Sequence, residues 1–147
     1  MKILFIIPCL ILLFTSCGCS NREVTVTNPL PVSLGDPFLL RTSSGKFYMY
    51  GTSEKSAGFK TYSSDDLITW KDEGVVYRGA TPESWTVDCF WAPEVYERAG
   101  KYYMFFSANW KENPTHELEN FRIGAAVSDH PGGPFKELLF KNFTRPF

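Results

Sequence analysis

Three features of this chain predict an all-β fold. Aromatic residues make up 16% of its 147 positions and hydrophobic residues 44%. Runs rich in Ala, Leu and Glu, which favour helices, are absent. The third feature is an internal repeat. GDPFLLRTSSGKFYMYGTS, from Gly35 to Ser53, and WAPEVYERAGKYYMFFSA, from Trp91 to Ala108, each pass from a proline through an apolar strand to a Gly-Lys turn and an aromatic strand. Further on, FKTYSSDDLITW from Phe59 is echoed by IGAAVSDHPGGPF from Ile123, both with Ser-Asp shortly before an aromatic residue. The spacing of the two copies is near that of a propeller blade.

Each copy reads as a four-stranded antiparallel meander. In the first, residues 38–41 form a strand, Ser43-Ser44-Gly45-Lys46 turns the chain, residues 47–52 and 59–64 form the second and third strands, and residues 70–78 the fourth. In the second the corresponding strands are residues 94–97, 102–108, 121–128 and 135–140. Residues 109–120 are polar and include Pro114, which predicts a surface loop. No helix is expected.

The first residues belong to targeting rather than to the fold. Met1-Lys2 is a minimal positive region, Ile3 to Phe14 is apolar, and Thr15-Ser16-Cys17 closes the stretch with small polar residues. Interrupted by Pro8, it is too short to cross a bilayer as a helix. The pattern resembles a bacterial lipoprotein signal over residues 1–19, with Cys17 as the lipidated residue of the mature chain. Its Leu13 stands four places before the cysteine where three is usual, so Cys19 is the second choice and cleavage without lipid a third. Residues 20–32 then read as a tether, residues 33–147 as the domain, its first blade at about 33–80 and its second at about 85–141. The expected location is the bacterial envelope (periplasm or outer membrane) or outside the cell, with membrane contact through the lipid anchor alone.

A net charge of −1 offers no electrostatic reason to expect nucleic acid or an anionic surface as partner. Of the four cysteines only Cys89 falls within the domain, so no disulfide framework is available to it. His116 and His130 are isolated and form no metal-ligand spacing, and neither a metal nor a cofactor is expected. Asn142-Phe143-Thr144 is a glycosylation sequon that a bacterial envelope protein would not normally use.

The motifs GDPFLL, SSDDLITW, FWAPEV, GKYYMFFSA and SDHPGGPF, in this order and spacing, resemble the start of glycoside hydrolase family 43, over residues 28–138. The resemblance implies a five-bladed β-propeller of which this chain supplies the first two blades. It also implies an inverting glycosidase acting on arabinofuranosides, xylosides or related side chains of plant-type polysaccharides and oligosaccharides. Inversion needs a carboxylate to deprotonate water and a carboxylic acid across the scissile bond, about 6.5 to 9.5 Å apart. Asp36, followed by Pro37 at the opening of the first blade's inner strand, is similar to the family's general base.

Trp91 opens the second blade at the matching place, where an indole face can stack on a sugar ring and its N–H can reach a hydroxyl. Glu94 can accept hydrogen bonds from sugar hydroxyls, and Phe90, Asp88 and Asn109 are weaker candidates for the cavity. The family's general acid and a second aspartate that tunes it belong to later blades, and no position of this sequence matches them. The chain alone is therefore expected to be inactive. A non-catalytic glycan-binding surface lipoprotein is the alternative, since it would keep the aromatic platform without the acid.

Overall fold

The computed structural model describes Thr25 and residues 27–54, 58–113 and 118–138. Cys17, Cys19, His116 and the sequon lie outside the described residues. Eight strands follow one another: β1 (Gly35–Arg41), β2 (Phe47–Glu54), β3 (Gly58–Ser64), β4 (Lys71–Tyr77), β5 (Trp91–Arg98), β6 (Lys101–Asn109), β7 (Phe121–Ser128) and β8 (Lys136–Glu137). They form two four-stranded sheets, β1-β2-β3-β4 and β5-β6-β7-β8, with every pairing antiparallel and sequential. No helix occurs among the described residues.

The strand assignments differ from the sequence reading chiefly at the starts of β1 and β5. Both begin three residues earlier, at Gly35 and Trp91, because each runs through a proline. Proline cannot donate to a sheet ladder, but at a bulge on an edge strand no donor is required of it. Turn chemistry closes the other ends. The Asp66 carboxylate accepts the amides of Ile68 and Thr69 at 2.8 and 2.7 Å, which bends the chain between β3 and β4. Those two amides hold the carboxyl below its ordinary pKa, although Asp66 is exposed.

Period-two alternation decides which residues face the other sheet. Phe38 and Leu40 of β1, Tyr48 and Tyr50 of β2, and Phe59 and Thr61 of β3 are in register on one face. Opposite them come Val95 of β5, Met104 and Phe106 of β6 and Ala126 of β7, all buried. The centre is aromatic: Phe106 lies 4.7 Å from Tyr77, 5.3 Å from Phe59 and 5.9 Å from Trp85, measured between ring centroids. Tilted, edge-on and stacked pairs of this kind contribute about 0.5–1.5 kcal/mol each beyond the area they bury. Trp85 needs Gly124 beneath it, since a Cβ there would stand 2.2 Å from the indole.

Polar groups in this interface are paired across it. The Tyr50 hydroxyl donates to the Pro131 carbonyl at 2.6 Å, and burial raises its phenol pKa far above the usual value. Tyr77 and Ser84 both donate to Oε1 of Glu137, at 2.7 and 2.5 Å, tying β4 and the connection after it to β8. The inner strands are clamped at the turn end as well, where the Glu97 carboxylate accepts the Ser43 amide at 2.7 Å and the Ser43 hydroxyl at 2.5 Å.

Candidate active site

Two matching bulges build the site. On β1 the pairs Gly35–Thr52 and Phe38–Tyr50 leave Asp36 and Pro37 opposite Gly51 alone. On β5 the pairs Trp91–Ser107 and Glu94–Phe105 leave Ala92 and Pro93 opposite Phe106. The first bulged residue is left-handed in both, with φ of 44° at Asp36 and 45° at Ala92. Aspartate visits this region more readily than most residues, whereas for alanine it costs about 1–2 kcal/mol. The packing of the two blades must hold Ala92 there.

The bulges are connected through one side chain. Thr52, at the edge of β2, donates its hydroxyl hydrogen to Oδ2 of Asp36 at 3.0 Å and accepts the Ala92 amide at 3.0 Å. Asp36 is exposed, and its other oxygen makes no hydrogen bond to a described residue. Trp91, the neighbour of Ala92, is 39% exposed. Asp36 and Trp91 thus stand on the inner strands of adjacent blades, at the same end of each, with Thr52 between their strands.

The remaining candidates separate by burial. Glu94 is exposed and accepts the Tyr96 hydroxyl at 2.6 Å, a bond that raises the tyrosine pKa. Tyr96 in turn packs 5.5 Å from Phe38 of β1. Phe90, expected among the cavity residues, is 1% exposed, its ring 5.9 Å from Phe59 and 6.1 Å from Tyr77. A phenyl ring gains more from that aromatic cluster than from a wet cleft, so Phe90 packs in the core. Asn109 is spent on structure: its side-chain amide donates to Asp88 at 2.7 Å and its Oδ1 accepts the Asn120 amide at 3.1 Å. A polar groove of about 240 Å³ opens between Asp88, Asn109 and Trp110. Cys17 lies outside the described residues.

Among the described residues no three His, Cys, Asp or Glu side chains are grouped to hold a metal. His130 is exposed and accepts the Gly132 amide through Nδ1. Thr52 and Tyr96 were not among the residues singled out from sequence. Thr52 was within reach, since aligning the two copies places it opposite Ser107, a second hydroxyl at the same bulge. Tyr96 matches Leu40 in that alignment and offers no such signal.

Residues 26–143 match the family described as Glycosyl hydrolases family 43. The chain belongs to glycoside hydrolase family 43, whose members are five-bladed β-propellers, and its two sheets are blades of that fold. It is 33% identical over 118 residues to a xylosidase/arabinosidase of Bacteroides ovatus, covering 69% of this chain and 34% of that protein. Against an extracellular exo-α-(1→5)-L-arabinofuranosidase of Streptomyces chartreusis it is 29% identical over 117 residues, covering 78% and 34%. The crystal structure of a thermostable family-43 glycoside hydrolase superposes with a TM-score of 0.68 at 34% identity, over 78% of this chain and 35% of the other. The chain spans about a third of the length of the curated relatives it matches.

Proposed function

We propose that this chain carries the base-bearing part of an inverting glycoside hydrolase acting on arabinofuranosides or xylosides of plant-type polysaccharides or oligosaccharides. The observation that carries the reading is the state of Asp36. The residue is exposed at a strained bulge, with one carboxylate oxygen held by Thr52 and the other making no hydrogen bond to a described residue. A water molecule at that other oxygen can lose its proton to it while attacking the anomeric carbon. Trp91 supplies an exposed indole for the sugar ring, and Glu94 with the groove beside Asp88 can receive hydroxyls of the same or the next unit. Relatives named as xylosidases, arabinosidases and exo-arabinofuranosidases support this substrate class.

No residue of this chain is assigned the general acid's part. Because acid–base assistance contributes about 10²- to 10⁴-fold per group, the chain by itself is expected to cleave aryl arabinofuranosides and xylosides negligibly. In the whole enzyme Asp36→Asn is expected to lower kcat at least about 100-fold while leaving sugar binding within a few-fold. The amide keeps the side chain's size but takes no proton from water. Equal rates for the variant and the parent on the best substrate would remove Asp36 as the base.

The apolar run before Cys17 supports export, with Cys17 acylated at the envelope membrane. Relatives named as extracellular arabinofuranosidases are consistent with export. Mass spectrometry of the mature N-terminus checks the anchor, and an unmodified terminus elsewhere would count against it.

A further inference from the structure

We infer that Thr52 is a positioning residue that selects which oxygen of Asp36 acts and couples the base to the strand bearing Trp91. This rests on the reading of Asp36 as the base. The proton arrangement around Thr52 has one solution. The Ala92 amide can only donate, so the Thr52 oxygen accepts it at 3.0 Å, and an ionised Asp36 can only accept, so the Thr52 hydrogen goes to Oδ2 at 3.0 Å. The amide bond polarises the hydroxyl and strengthens its donation to the carboxylate. That bond draws on one lone pair of Oδ2 and lowers its basicity, so the more basic oxygen offered to the attacking water is Oδ1.

The repeat separates the two halves of this arrangement. Blade two carries the same bulge with the same left-handed residue, yet Ala92 stands where Asp36 stands and Ser107 where Thr52 stands. The bulge is thus a feature of each blade, whereas the carboxylate occurs in blade one alone. A staple between blades needs only the acceptor oxygen of Thr52. Donation to Asp36 adds a function that blade two has no carboxylate to receive. Because the Ala92 amide is one residue from Trp91, the same hydroxyl fixes the spacing between base and aromatic platform.

Two measurements test this with Thr52→Val, which keeps the shape and loses the hydroxyl, and Thr52→Ser, which keeps the hydroxyl. In the 147-residue chain, hydrogen exchange at the Ala92 amide is expected to accelerate about fivefold or more in Thr52→Val and to stay near the parent rate in Thr52→Ser. An unchanged Ala92 rate in Thr52→Val overturns the arrangement whatever Asp36 does. In the whole enzyme, acting on an aryl arabinofuranoside or xyloside, Thr52→Val is expected to lower kcat about 10- to 100-fold with KM within about twofold. Thr52→Ser should restore most of the rate. A raised KM with kcat unchanged, or no rescue by serine, overturns the positioning role. Asp36→Asn is run beside them, so that failure of the base reading shows as an active Asp36→Asn enzyme while the exchange result stands by itself. If Thr52→Val does not fold, Thr52→Ala is read in its place, and failure of both assigns Thr52 to the scaffold and overturns the proposal.

Discussion

Glu97 illustrates how a single half-buried side chain contributes to the joint between blades. Its two oxygens accept the amide and hydroxyl of Ser43, and these bonds hold the carboxyl below its ordinary pKa. A carboxyl lowered by folding adds stability that is present above its unfolded pKa, about 4.3 for glutamate, and lost as pH falls through the lower folded value. Melting temperature is therefore expected to drop on acidification from about pH 5 to about pH 3 more in the parent than in Glu97→Gln. Parallel pH profiles for the two proteins would show that the clamp adds nothing. Thr52, at the other end of the inner strands, belongs to the same scale: one hydroxyl there joins the starts of β1 and β5, whose bonded residues stand 16 and 40 positions from it in the chain.

At the scale of elements, β7 shows why a small residue can matter more than a large one. Gly124 lies under Trp85, which stacks 5.9 Å from Phe106, and any Cβ at 124 meets the indole at 2.2 Å. Gly124→Ala is expected to push Trp85 off Phe106 and to cost about 1–3 kcal/mol, the usual range for overpacking a filled core. Phe106→Ala removes the centre of the aromatic cluster and is expected to cost about 3–5 kcal/mol. Urea unfolding monitored by tryptophan fluorescence measures both. A loss below about 0.5 kcal/mol in either would mean that the interface relaxes freely around it.

For the molecule as a whole, the repeat makes blade two's outer face comparable with the inner face of blade one. Phe105 and Ile123 occupy the places of Tyr50 and Phe59 by register. Tyr50 and Phe59 are 0% exposed, while Phe105 is 43% and Ile123 76% exposed. The face has the residues of a covered surface without the cover, and in a five-bladed ring it is the face that meets the next blade. In the chain alone it is expected to promote self-association. Ile123→Lys should shift sedimentation of the chain toward the monomer without lowering its melting temperature, and unchanged association would place the contact elsewhere.

The eight strands, their pairing order and the equivalence of the two copies were legible in sequence, because alternation and turn residues act over a few positions. The proline-bearing starts of β1 and β5 were not, since a bulge is defined by the partner strand, and Asp36 and Ala92 become left-handed only when Thr52 and Ser107 pair beside them. The family resemblance nominated Asp36, and residue type with position in the repeat nominated Trp91, Glu94, Phe90 and Asn109. The tertiary structure left Asp36, Trp91 and Glu94 exposed, drew Phe90 into the core and engaged Asn109 with Asp88. Exposure depends on which sheet face meets which, a contact between segments some fifty residues apart that no local pattern encodes.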